Sequence, residues 1–200
     1  MKTRSGENVS LRALLDEAQD RARAVVEEKN TALDEAEKRE IARIIGIGAV
    51  KYADLSQARM TDYVFSWDRM LSFQGNTAPY LQNGYVRIRS IFRKGEIADL
   101  SPGGVSPSVV VLTEPTEIAL SKKLAQFGEI VPQVLDDFRP NILTTYLYEL
   151  ANGFHAFYEA CPVLKAEEST RASRLALCEL TARVLKKGLS LLGIEVPERM

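Results

Sequence analysis

Gly75-Asn76-Thr77-Ala78-Pro79-Tyr80-Leu81-Gln82-Asn83-Gly84-Tyr85-Val86-Arg87-Ile88-Arg89-Ser90-Ile91-Phe92-Arg93-Lys94 is the stretch on which the fold turns. Thr77 offers a hydroxyl to cap a helix, and Pro79 is tolerated in a first turn, where its missing N–H is not needed. From there to Lys94 a helical period sorts the side chains. Leu81, Tyr85, Ile88 and Phe92, at i, i+4, i+7 and i+11, form a core stripe. Tyr80, Asn83 and Arg87, at i, i+3 and i+7, form a second stripe turned away from it. Arg87, Arg89, Arg93 and Lys94 add four positive charges with no acid between Gly84 and Lys94. Such a run reads first as a solvated helix face.

The pattern on either side is also helical. Upstream, Leu11, Leu14, Leu15, Ala18, Ala22, Val25 and Val26 recur at helical spacing behind Ser10, a candidate N-cap. Asn30 and Thr31 interrupt this helix, and a second begins near Leu33 with Ile41, Ile44, Ile45, Ala49 and Tyr52 on one side. Gly46 and Gly48 lie inside it. Each costs about 1 kcal/mol against alanine in a helix interior, so close backbone contact is expected there. Tyr63-Val64-Phe65 reads as a short extended segment, and Trp67, Met70, Leu71 and Phe73 as an apolar knot before Gly75.

Downstream, residues 95–112 are rich in Gly, Pro and Ser and read as a long mobile loop, with Val109 to Leu112 either pairing briefly or drawn into the next helix. That helix starts around Pro115 and runs through Ile118, Leu120, Leu124 and Phe127 to a Gly128 stop. A shorter helix follows (Val131, Val134, Leu135, Phe138), then a long one after Pro140. The last runs from about Glu168 to Leu192, ended by Gly193 and Pro197. The expected fold is mainly α: an antiparallel helical bundle over 76–200, preceded by a small α-rich segment over 1–75 with a short extended stretch. No internal repeat is visible.

Composition narrows the function. Among 200 residues, 26 Lys+Arg against 27 Asp+Glu leave a net charge of −1. That excludes a wholesale basic coat but not a local basic stripe. No apolar run approaches the roughly 20 residues of a membrane span, so a soluble chain is expected, and the polar start after Met1 reads as no secretory signal. Cys161 and Cys178 cannot build a disulfide framework and read as small buried hydrophobes in a reduced compartment. No CxxC, HExxH or carboxylate-rich loop offers a metal cage, and no glycine-rich phosphate cradle is present. The single histidine, His155, beside Phe154 and Phe157, reads as a packed or rim residue.

Three stretches carry more. They are Lys51-Tyr52-Ala53-Asp54-Leu55-Ser56 with Asp62-Tyr63-Val64-Phe65-Ser66-Trp67-Asp68; Gly75-Asn76-Thr77-Ala78-Pro79-Tyr80-Leu81-Gln82; and the ending Leu192-Gly193-Ile194-Glu195-Val196-Pro197-Glu198-Arg199-Met200. In this order they closely resemble the C-terminal part of the arginyl-tRNA synthetases, class I enzymes, over essentially the whole chain. The resemblance implies that 76–200 is the helical anticodon-binding (DALR) domain and that 1–75 holds a KMSKS-like loop and the stem-contact region.

It further implies that the catalytic domain with its HIGH signature lies outside these residues, so that Met1 opens a fragment, and that this chain alone is inactive. The parent enzyme would be an arginine–tRNA ligase, cytoplasmic and monomeric. It would use ATP with Mg as substrate, and this fragment would hold no tight cofactor or metal. Its partners would be arginine-accepting tRNA and its own upstream catalytic domain, with no membrane.

Within the opening Met1-Lys2-Thr3-Arg4-Ser5-Gly6, the resemblance makes Lys2 and Arg4 the catalytic candidates over the ATP phosphates, with Thr3 and Ser5 as hydroxyl donors and Gly6 permitting the turn. Tyr80, Asn83, Arg87, Tyr158 and Met200 match anticodon-contact positions, with the Met200 carboxylate as an acceptor; Asn83 stands where some members carry tyrosine. Loop bases are read by stacking and by hydrogen bonds to their edges, which suits these residue types. Arg89, Arg93 and Lys94 are candidates for tRNA phosphates. Arg171, Arg174, Arg183, Lys186 and Lys187 read as phosphate contacts or as solvated surface. Glu27, Glu28, Asp34, Glu35 and Glu37 would keep phosphate from the helix junction. Two other readings stand beside this one: a stand-alone tRNA- or RNA-binding adaptor, and a helical protein-interaction module without ligase activity.

Overall fold

A computed structural model describes residues 10–29, 33–58, 60, 64–97 and 110–200. Among these residues the chain forms eight helices and no strand: α1 (Leu11–Lys29), α2 (Glu35–Leu55), α3 (Trp67–Met70), α4 (Ala78–Lys94), α5 (Pro115–Ala125), α6 (Phe127–Asp137), α7 (Pro140–Ala160) and α8 (Glu168–Leu191). The expected extended stretch lies partly outside the described residues. Its remainder, Val64 to Ser66, is an irregular lead-in that ends in Ser66, extended at φ −150° and capping α3.

Local chemistry explains the helix starts. Asp34 accepts from the Glu37 N–H at 2.8 Å and the Glu37 carboxylate accepts from the Asp34 N–H, a reciprocal cap that opens α2. Thr77 caps α4 as its sequence promised, its hydroxyl oxygen accepting from the Tyr80 N–H. At the end of α8, Gly193 takes φ +68° and the Ile194 N–H reaches back to the Leu189 carbonyl, which turns Ile194 into the core.

Two apolar clusters result. The larger joins α4, α5, α7 and α8 around Leu81, Ile88, Leu147, Leu150, Phe154 and Leu185; the smaller joins α1 to α2 through Ala22, Val26, Ile41 and Ile45. Packing runs straight across residue 75. Tyr52 of α2 belongs to the larger cluster, and its hydroxyl lies 2.6 Å from Asn76 Oδ1 and 2.9 Å from the Thr144 carbonyl. Gly46 makes the close approach its position called for: a Cβ there would stand 2.6 Å from the Ala18 carbonyl oxygen of α1.

Three expectations change. The break between α5 and α6 falls at Gln126, and Gly128 lies inside the first turn of α6 with open space where its Cβ would be. The chain turns there so that Leu120 and Leu124 on one helix, and Phe127, Ile130 and Val134 on the next, all reach the larger cluster. Val110 to Leu112 neither pair with a strand nor join α5, because the Val111 N–H donates to Ser173 Oγ at 2.9 Å; Val109 lies outside the described residues. Arg174 is no surface charge. It is buried, donating to Glu117 Oε1 at 2.6 Å and to the Pro162 carbonyl at 2.9 Å. Cys161 and Cys178 are both buried and unbridged, and burial pushes the Cys178 thiol up to about 12.

Candidate nucleic-acid interface

Along α4 the outward stripe expected from the sequence is present: Tyr80, Asn83 and Arg87 are half-buried while the core stripe is fully covered. The same spacing recurs on α7, where Tyr148, Asn152, His155 and Glu159 lie at i, i+4, i+7 and i+11. The two stripes meet. The Tyr80 hydroxyl donates to Asn152 Oδ1 at 2.6 Å, and its ring centroid lies 5.7 Å from that of Tyr148 and 5.0 Å from that of His155. Burial and neighbouring Tyr148 raise the Tyr80 phenol above its ordinary value, so it stays a donor.

One turn on, a cleft of about 670 Å³ opens between α4, the end of α7 and residues 161–165. Asn83, Arg87, Arg93, Lys94, Tyr158 and Met200 all line it, so six of the expected tRNA-contact residues share one surface. Val86, Ile91, Val163 and Leu164 supply apolar lining; Arg87, Arg93, Lys94 and Lys165 outnumber Glu159 at the rim. Tyr158 is 38% exposed, with Arg87 Cζ 5.5 Å from its ring centroid and the Phe154 ring 6.0 Å away at 27°. The Arg87 guanidinium also donates to His155 Nδ1 at 3.2 Å. Burial, then the Arg87 charge, hold His155 below its ordinary pKa, with Glu159 pulling weakly the other way. An exposed aromatic, an adjacent guanidinium plane and an amide side chain are the groups that stack on and edge-bond an unpaired base.

Residues expected to act alike are used differently. Arg89 donates through Nε to Glu198 at 2.8 Å and Arg93 donates to the Glu198 carbonyl at 2.9 Å, binding the tail to α4. Tyr85 also donates to the Glu198 carboxylate, at 2.9 Å. Burial pushes Glu198 up, but the bonds from Tyr85 and Arg89 outweigh it and hold the carboxyl below the usual range. Arg43 clasps Glu195 with two bonds of 3.0 and 2.9 Å, so the tail is tied to α2 as well. Lys2, Thr3, Arg4, Ser5 and Gly6 lie outside the described residues.

Sequence reasoning missed Gln82, whose buried amide donates to the Ile44 and Glu195 carbonyls, and Lys165 on the cleft rim. The α7 stripe was available as a signal for His155; Lys165 had none. A second cleft, of about 660 Å³, lies between the end of α2 and residues 64–77, with Ser56, Gln57, Arg69 and Asn76 on its wall. Among the described residues no group of three His, Cys, Asp or Glu side chains is placed to hold a metal, and no helix is long and apolar enough to cross a membrane.

Two family models match the chain. Residues 81–200 match the DALR anticodon binding domain, and residues 1–67 match the catalytic domain of tRNA synthetases class I (R). The chain is 54% identical to the arginine–tRNA ligase of Chromobacterium violaceum over 199 residues, and 56% identical to that of Shewanella amazonensis over 200. Each alignment takes in the whole chain but 34% of the relative. Among solved structures, the arginyl-tRNA synthetase of Thermus thermophilus superposes with a TM-score of 0.88 at 37% identity, over 98% of this chain and 33% of that one. The Plasmodium falciparum enzyme gives 0.83 at 34%, over 96% and 34%. The chain thus spans about a third of the length of the relatives it matches.

Proposed function

This chain belongs to the DALR anticodon-binding domain family, and on that premise we propose that it is the stem-contact and anticodon-binding portion of an arginine–tRNA ligase. The parent protein would join arginine to its tRNA at the expense of ATP, with Mg accompanying the nucleotide. Residues 76–200 would grip the anticodon loop, and residues 1–75 would carry the KMSKS-like loop and the stem contact, for which the cleft beside Asn76 is the candidate surface. The upstream catalytic domain would be the second partner, the enzyme a cytoplasmic monomer.

The observation that carries this reading is the cleft in which Asn83, Arg87, Tyr158 and Met200 converge beneath a basic rim. A loop base would stack on Tyr158 or on the Arg87 plane, with Asn83 bonding its edge and Lys94 and Arg93 facing phosphate. Filter binding of arginine-accepting tRNA against a non-cognate tRNA, over a range of salt, tests it. Salt-dependent binding that favours the cognate tRNA, and loses that preference in Tyr158→Ala, is expected. Equal binding of both would indicate a general RNA adaptor, and no binding a protein-interaction module. ATP–pyrophosphate exchange by the chain alone should be absent.

A further inference from the structure

We infer that His155 is a positioning residue of the cleft: its neutral ring accepts a hydrogen bond from Arg87 and so aims the guanidinium, and protonation of the ring releases it. The inference rests on the anticodon reading proposed above.

The tautomer follows from the donor inventory. Arg87 has N–H donors and no acceptor, so at 3.2 Å from its Nη1 the His155 Nδ1 must present a lone pair. The ring proton therefore sits on Nε2. That atom is buried without a protein partner, facing Gly84, where an added Cβ would stand 3.8 Å from it. An apolar ring would fill the same space without burying a polar edge. The imidazole earns its place through Nδ1.

The charged surroundings fix the direction of the response. Arg87 and Tyr80 face His155 from α4, Tyr158 and Glu159 lie beside it on α7, and the α8 side chain that reaches the same Gly84 position is the apolar Leu185. Protonation would remove the acceptor and set a second cation against the guanidinium, with Glu159 offering partial relief. Since burial and Arg87 already disfavour the charged ring, the bond holds at neutral pH and is lost on acidification below the ordinary histidine range. Arg87 would then lose the partner that holds it beside the Tyr158 ring.

His155 is the single histidine of the chain, so its imidazole can be followed without assignment by nitrogen NMR of the 200-residue protein. At neutral pH Nδ1 should show the unprotonated frequency and Nε2 the protonated one. Binding of arginine-accepting tRNA is then measured from about pH 7.5 to about pH 5 for the wild type, His155→Asn and His155→Leu. Asparagine places an oxygen acceptor near Nδ1 and does not titrate, so that variant should keep near wild-type affinity at neutral pH and show the weaker pH dependence. Leucine should bind about tenfold more weakly at neutral pH, and the wild type should lose about tenfold more on acidification than the asparagine variant. A protonated Nδ1 at neutral pH, or matching wild-type and asparagine profiles, overturns the inference. If Tyr158→Ala leaves tRNA binding unchanged, the anticodon reading fails instead, and the nitrogen frequencies report the Arg87–His155 bond independently.

Discussion

Arg87 and Arg89 stand two residues apart on α4 and face opposite flanks of it. Arg89 meets a carboxylate, Glu198, which also receives Tyr85 and is approached by Lys186 at 3.5 Å. Arg87 meets a neutral imidazole and an aromatic ring. The carboxylate neutralises one charge and fixes it to the tail, whereas the imidazole orients the other and leaves it cationic. Equal residues in one basic run therefore serve different ends, and the partner decides which. Ion pairs at a surface stabilise little, but they do remove a cation from the pool that could meet phosphate.

Four measurements test that contrast. The largest effect belongs to a third arginine, Arg174, sealed against Glu117, whose other oxygen takes the Thr113 and Glu114 N–H groups at 2.8 and 3.0 Å. Arg174→Ala strands a buried carboxylate and should cost about 3–5 kcal/mol in urea unfolding. A loss as small as that of Arg89→Ala would show that burial does not rank these arginines.

Next in size, Tyr158→Ala should weaken cognate tRNA binding by about 1–3 kcal/mol, the worth of one stacked base, with less change in the urea midpoint. Smaller again is the direct comparison. Arg87→Ala should lower tRNA affinity and Arg89→Ala chiefly stability, by under about 1 kcal/mol; equal losses of tRNA affinity would erase the distinction between the two flanks. The smallest effect is a pH response. Glu198 titrates below its ordinary value in the folded chain, so its contribution is complete above the unfolded carboxyl pKa of about 4.3 and fades as pH falls through the lower folded value. Thermal melts in that acid window should show Glu198→Gln with a flatter pH dependence than wild type.

The helices were largely legible because capping and periodicity are local. Thr77, the two stripes of α4, the Gly46 approach and the Gly193 turn could each be read within a few residues. What escaped depends on pairing between distant parts of the chain. Nothing near Glu195 or Glu198 marks Arg43, Arg89 or Arg93 as its partner, and a glutamine at position 82 looks the same whether it faces water or two buried carbonyls. The α5–α6 break was misplaced for a related reason, since the turn at Gln126 answers to the core both helices reach and not to the glycine two residues on. For the cleft, the α4 half was visible as a stripe. The stripe on α7 had the same period, but only packing shows that Tyr80 meets His155.

The contact of Tyr52 with Asn76 and Thr144 bears on how this bundle could be transplanted. Excision at residue 75 would unroof the larger cluster where Tyr52 closes it and leave the Gln82 amide without Ile44. A shuffled or engineered fusion should keep α1 and α2 with the bundle and join its new neighbour ahead of Leu11. The seam for recombination then lies ahead of α1 and not at residue 75, and α1 and α2 travel with the bundle as its foundation.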